Sequence, residues 1–179
     1  TGVNKNDKYL PNVAEGYNCV TQQNGNAGDV NAGSVTGHGT QVASVIAATG
    51  DGVTAPIGVA PGTQIIPIVI VDPAMIILDE RMICGIEKAE ALGAKVINIS
   101  ASGTEDQAND NGSCGPLALY QTICNFNKGI IVVAAGNGTH LDRSIGVGFS
   151  NFKPATHPNV VTVTAMHDAN GLPGTPKGT

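Results

Sequence analysis

Gln64-Ile65-Ile66-Pro67-Ile68-Val69-Ile70-Val71 is β-branched and apolar on both faces, the composition of a strand buried within a parallel sheet. Pro67 has no ladder N–H, so a bulge or an unpaired side is expected there. From Asp79 the period changes. Met82, Ile83, Ile86, Ala89 and Leu92 recur at spacings of three and four, and Gly93 stands where a helix C-cap glycine belongs. Lys95-Val96-Ile97-Asn98-Ile99 is the next strand. Further on, the polar loop Ser100 to Cys114 ends at Gly115-Pro116, which predicts a helix with Pro at its first position, running to about Lys128 and closing on Gly129. Ile130 to Ala135 and Val160 to Ala165 read as two more strands.

Toward the N-terminus, residues 1 to 37 are polar and read as loop, with one short strand near Asn12 to Ala14. A helix is expected from Thr40 to about Ala48, closed by the turn Thr49-Gly50-Asp51-Gly52. Strands alternating with helices predict an α/β fold, a doubly wound and mostly parallel sheet with helices on both faces. No internal repeat, charge block or linker divides residues 1–179, which predicts a single domain.

Composition narrows the function. The chain is 41% hydrophobic and only 13% charged, with 24 glycines, so small-residue packing and many tight turns are expected. A net charge of -5 argues against nucleic acid, which requires a basic face. No apolar run reaches the roughly 18 residues of a membrane span. The four cysteines, Cys19, Cys84, Cys114 and Cys124, form no CxxC and no Cys/His set with zinc spacing. Their even number fits an oxidising compartment, with Cys114 and Cys124 the better disulfide candidates, although buried free thiols remain open. Asp51 is a candidate calcium ligand, against the simpler reading of an Asp-Gly turn.

Three stretches carry chemistry. In Gly37-His38-Gly39-Thr40 two glycines let the backbone fold tightly around an imidazole at a helix N-terminus. A helix N-terminus disfavours positive charge, which suits a general base. Ser100-Ala101-Ser102-Gly103 and Ala134-Ala135-Gly136-Asn137-Gly138 each follow a strand, at the sheet edge where such folds place their sites. An amide side chain there, Asn137, is a suitable oxyanion donor because it meets developing negative charge without carrying charge itself.

In this order the motifs resemble the subtilisin-like serine proteases, the subtilases, over nearly the whole chain. Gly37 to Ala48 is similar to their histidine motif, and Gly58-Val59-Ala60-Pro61 to the segment after its helix. Val96 to Ser100 is similar to their substrate-wall strand, Ala134 to Gly138 to their oxyanion motif, and Pro154 to Val161 to the segment beyond it. The resemblance implies that His38 is the general base and Asn137 the oxyanion donor. It implies that Ser100, Ala101, Ser102 and Gly103 form one wall of the specificity pocket and Ala134, Ala135 and Gly136 the other. It also implies a Cys114–Cys124 pair, a cis peptide before Pro154, a secreted monomer acting on polypeptides, and no cofactor for the chemistry. Structural calcium is left open.

The family's aspartate precedes a Thr/Ser-Gly-Val/Ile run, so its place is immediately before Thr1-Gly2-Val3. Its serine motif, Gly-Thr-Ser, is expected beyond Thr179, and neither Asp29 nor Asp51 fits the acid. The 179-residue chain alone is therefore expected to be inactive. Three departures from the family are visible. Gln41 replaces a second histidine, Ser102 stands at a usual glycine, and the substrate edge reads Asp72-Pro73-Ala74-Met75-Ile76-Ile77, apolar enough to suggest a preference for apolar side chains. Competing readings are a catalytically dead subtilase-like binding domain, a nucleotide-binding domain using Gly146 to Asn151, and a glycosylated adhesin with sequons at Asn98, Asn111 and Asn137. The nucleotide loop lacks its third glycine, and Asn98 is expected in a buried strand.

Overall fold

The computed structural model describes residues 1–25, 27–28, 37–101, 114–136 and 153–164. Within them lie six strands and three helices: β1 (Tyr17–Asn18), β2 (Gln23–Asn24), α1 (His38–Ala47), β3 (Ile68–Val69), α2 (Asp79–Ala91), β4 (Val96–Ile99), α3 (Ala118–Asn125), β5 (Ile130–Ala134) and β6 (Val160–Val163). The strands form two three-stranded sheets in the orders β2-β1-β3 and β4-β5-β6. Pairing is parallel for β1/β3, β4/β5 and β5/β6, and antiparallel only for the β1/β2 hairpin. The α/β, mostly parallel reading of the sequence holds.

Local details follow from individual residues. The run 64–71 pairs in pieces because Pro67 offers only a carbonyl, which accepts from Tyr17 N–H at 3.0 Å. Ile65 on one side makes an isolated parallel bridge to Val13, the nearest thing to the strand expected at Asn12 to Ala14. The β1/β2 hairpin was not legible among polar residues. It is fixed by Asn18, a buried residue whose Oδ1 accepts from Val20 N–H at 2.9 Å and Thr21 N–H at 3.0 Å.

α2 ends in a Schellman turn. Gly93 adopts φ +85°, its N–H reaches Glu90 O at 3.0 Å, and Ala94 N–H reaches Ala89 O at 2.9 Å. That turn swings Leu92 off the apolar face, leaving it 47% exposed, contrary to its place in the helical pattern. Gly85 is buried instead, because a side chain there would meet Ile70 Cγ2 of the β3 region at 2.9 Å. α3 is shorter than expected at both ends. Leu117 is still extended (φ −71°, ψ 122°), and the chain leaves the helix at Phe126, which is buried in the core.

The main core joins α2 (Met82, Ile86, Ala89) and α3 (Leu119, Tyr120, Ile123) to one face of the second sheet (Ile97, Ile99, Ile131, Val133), with Ile68 and Ile70 packed alongside. Strand alternation puts Val96, Asn98 and Ile130 on the opposite face, where all three are exposed. Asn98 is thus on the open face, not buried. A second cluster holds α1 through Val3, Leu10, Ala43, Ala47 and Ala48. Both disulfides are present, Cys19–Cys84 and Cys114–Cys124. The first joins the end of β1 to α2 across 65 residues, a loop length that corresponds to about 4 kcal/mol in the chain-entropy view.

Candidate active site

His38 is the first residue of α1, two residues earlier in the chain than the expected start near Thr40. The cause is Gly37, which sits in the left-handed region (φ 71°) and lends its carbonyl to Gln41 N–H at 2.9 Å, the first bond of the helix. Gly39 serves a different purpose. A Cβ there would fall 1.8 Å from Gly2 O and 2.7 Å from Thr1 Oγ1, so the segment Thr1-Gly2 lies directly on the first turn of α1. Asn4 N–H donates to Thr40 Oγ1 at 2.9 Å, and Val3 N–H to Ala27 O at 3.0 Å, which fixes that approach from both sides.

The far end of α1 is held as firmly. Gly58 N–H donates to Ala48 O, Val59 to Val45 O, Ala60 to Ile46 O and Gly62 to Ala47 O, all between 2.8 and 3.0 Å. These are carbonyls that a helix C-terminus leaves without partners. The Gly58-Val59-Ala60-Pro61-Gly62 segment is therefore the cap of the histidine helix. Gly58 permits it, because a Cβ would meet Ala47 N and Ile46 O at 2.5 Å. Sequence alone quotes this segment without giving it that role.

The two proposed pocket walls leave neighbouring strands. In the β4/β5 register Ile99 faces Val133, so Ser100 and Ala101 emerge from β4 beside the end of β5 at Ala134, from which Ala135 and Gly136 lead on. Ala135 is buried and donates to Val163 O of β6 at 2.9 Å, and Gly136 turns away with φ +92°. Asn98 Nδ2 donates to Ser100 Oγ at 3.0 Å, holding the serine at the strand end. The five described wall residues are thus brought to one sheet edge. Asn137, Ser102 and Gly103 lie outside the described residues, as do Asp29, Asn111 and Gly146 to Asn151.

Asp51 organises a loop. Its carboxylate accepts from Thr54 Oγ1 at 2.7 Å and from the N–H groups of Val53, Thr54 and Ala55 at 2.8 to 2.9 Å. The Thr54 hydroxyl first, then the three amides, hold this carboxyl well below the usual carboxylate range. Because the folded value is depressed, the loop's gain is complete above the ordinary value of about 3.9 and is lost only as pH falls through the folded value. Exchange protection of the Val53, Thr54 and Ala55 amides should therefore persist below pH ~4. Asp51→Ala should abolish it at every pH while leaving the amides of α1 protected. Both arms are read by hydrogen exchange.

The substrate-edge candidate Asp72 to Ile77 is not extended. It folds back as a turn, with Met75 at φ +65° and Val71 bridging Ile77. Asp72 Oδ1 accepts from Ile76 N–H and Ala74 N–H, and its Oδ2 from Arg81 Nη1 at 2.9 Å. The Ile76 amide and then Arg81 lower the Asp72 carboxyl from its ordinary value. Arg81 also donates to Ile76 O, so one guanidinium clamps the turn to α2. Met75, Ile76 and Leu78 remain partly open to solvent. No group of three or more potential metal ligands occurs among the described residues, and no helix there is long and apolar enough to cross a membrane.

The architecture is that of the subtilisin-like α/β proteins. A solved cold-adapted subtilisin-like serine proteinase superposes with a TM-score of 0.65 at 25% identity, over 90% of this chain and 50% of its own. The protease domain of PatA does so at 0.66 and 25%, over 93% and 55%. The family model described as Subtilase family (Peptidase_S8) matches residues 1–174, and the chain belongs to that family. Subtilisin DY of Bacillus licheniformis is 33% identical over 75% of this chain and 44% of its own length. Thermitase of Thermoactinomyces vulgaris is 32% identical over 84% and 50%, and fervidolysin of Fervidobacterium pennivorans 36% over 72% and 17%. The chain thus spans at most half the length of these curated relatives.

Proposed function

We propose that the whole protein is a secreted serine endopeptidase working through a Ser-His-Asp triad, with His38 as general base and Asn137 as oxyanion donor. The serine hydroxyl, made nucleophilic by proton transfer to His38, attacks the scissile carbonyl, and the imidazolium then protonates the leaving amine. Asn137 stabilises the tetrahedral oxyanion. Ser100 to Gly103 and Ala134 to Gly136 wall the pocket, and an extended substrate adds alongside as a strand. The acid stands immediately before Thr1 and the serine beyond Thr179, in one catalytic domain that includes residues 1–179. The protein acts as a monomer on polypeptides, without nucleic acid, membrane or a catalytic cofactor, and calcium would serve structure alone.

Besides family membership, one observation carries this reading: Thr1-Gly2 packs on the first turn of α1 against Gly39. A carboxylate one residue ahead of Thr1 then falls beside His38, where it can orient the ring. The test is hydrolysis of a peptide substrate by the whole protein, abolished by a serine-directed covalent inhibitor. Asn137→Ala should lower kcat by about 10²–10³-fold with little change in KM. The 179-residue chain by itself should cleave nothing. Peptide binding without turnover in the whole protein would instead favour the catalytically dead binding domain.

A further inference from the structure

The Cys114–Cys124 disulfide has an asymmetric environment. Cys114 is exposed, whereas Cys124 is half-buried on α3 and receives two side-chain contacts from one segment. His157 Nε2 lies 3.6 Å from Cys124 Sγ, and Asn159 Nδ2 lies 3.7 Å from it. The tautomer of His157 follows from its other nitrogen. Nδ1 accepts from Asn159 N–H at 3.1 Å, so in the neutral ring the proton is on Nε2. A disulfide sulfur has no proton to give, which requires the same arrangement. Both contacts therefore run from N–H toward sulfur.

The ring is held in place. His157 is 2% exposed and its ring packs on Tyr120 with centroids 4.9 Å apart, while Tyr120 OH and Thr156 Oγ1 are hydrogen-bonded at 3.3 Å. Two fixed N–H donors contribute little to a neutral disulfide sulfur, which is a weak acceptor. They contribute far more to a thiolate, since hydrogen bonds to an ionised group are about twice as strong as neutral ones. The arrangement therefore favours the state in which Cys124 carries negative charge. Cys19–Cys84 differs: Cys19 is buried and Cys84 half-buried, so neither end is as open to an external thiol as Cys114.

We infer that Cys114–Cys124 is a site of thiol–disulfide exchange, with Cys114 as the attacked sulfur and Cys124 as the leaving thiolate. An external thiolate attacks Sγ of the exposed residue Cys114, the Cys114–Cys124 bond breaks, and a mixed disulfide forms on Cys114. Cys124 departs with the electron pair and is met by His157 Nε2–H and Asn159 Nδ2–H. If the attacking molecule is a dithiol, its second thiolate closes on the first sulfur and releases Cys114. The dithiol is then oxidised to its disulfide, and the two cysteines are reduced by two electrons. Lowering the leaving thiol's basicity speeds the first step, and stabilising the thiolate favours the reduced pair.

The disulfide ties Cys114 to α3, and its reduction releases that tie while Cys19–Cys84 continues to hold β1 to α2.

The test uses the whole folded protein with glutathione and with dithiothreitol, quenched by alkylation and mapped by mass spectrometry. Glutathione should be trapped on Cys114, and Cys114–Cys124 should open at least tenfold faster than Cys19–Cys84. Asn159 is exposed, so Asn159→Ala should leave the fold intact and slow opening roughly threefold to tenfold by removing one donor. Glutathione trapped on Cys124, simultaneous opening of both disulfides, or an unchanged rate in Asn159→Ala would each overturn the inference.

Discussion

If the proposed mechanism holds, His38→Ala in the whole protein is expected to lower kcat for a peptide substrate on the order of 10⁶-fold, because triad members act as one unit and losing the base costs nearly as much as losing all. The substitution should not unfold the protein. His38 is half-buried at the first position of α1, and the helix starts through Gly37 and its carbonyl, not through the imidazole. Circular dichroism and Tm should therefore stay close to those of the parent. Residual activity within tenfold of the parent would remove His38 from the mechanism. Unfolding of the variant is separable from loss of chemistry by that same Tm measurement.

Gly39→Ala should be as damaging by a different route. Its Cβ would lie 1.8 Å from Gly2 O, and the obstacle is backbone, not the tip of a flexible side chain. Relief requires either Thr1-Gly2 or the first turn of α1 to move. Thr1-Gly2 cannot retreat readily, because a Cβ on Gly2 would itself meet Gly28 O at 2.2 Å, so Ala27-Gly28 backs it closely. Overpacking of this kind costs about 3 kcal/mol. Denaturant titration should show that loss, and kcat should fall further than stability alone explains, since His38 adjoins the displaced turn. A variant with the parent's midpoint would mean that the three layers can slide apart freely.

Much of the fold was readable because period and composition changed together. The helical spacing of Met82, Ile86 and Ala89 against the β-branched runs on either side identified α2, β4 and β5 within a residue or two. What escaped was structure made by polar atoms and glycines. Asn18 builds a hairpin with its amide oxygen, and that depends on where two following amides lie, which no apolar pattern encodes. Asp72 to Ile77 reads as an apolar edge strand, yet Asp72 and Arg81 fold it into a turn through contacts nine residues apart. Gly85 and Gly39 are close-approach residues whose purpose shows only when the neighbouring backbone is in place. At the candidate site, His38, Ser100 and Ala134 were proposed from motif alone. That Thr1-Gly2 and the 58–62 segment fix the histidine helix at its two ends was not.

The connection between α1 and its capping segment has a further consequence. Residues 49–57 leave the helix and return to it through a closed stem: Thr49 bridges Ile57, Gly50 N–H donates to Pro56 O, and Gly52 N–H to Ala55 O. Val53, at the tip, is 90% exposed. Cap and helix are thus joined across a stem that does not depend on what lies beyond it. Lengthening the tip between Gly52 and Thr54 adds closure entropy only logarithmically. This makes the tip a natural point of length variation, where an insertion or a grafted recognition loop can be carried without disturbing the helix that bears His38.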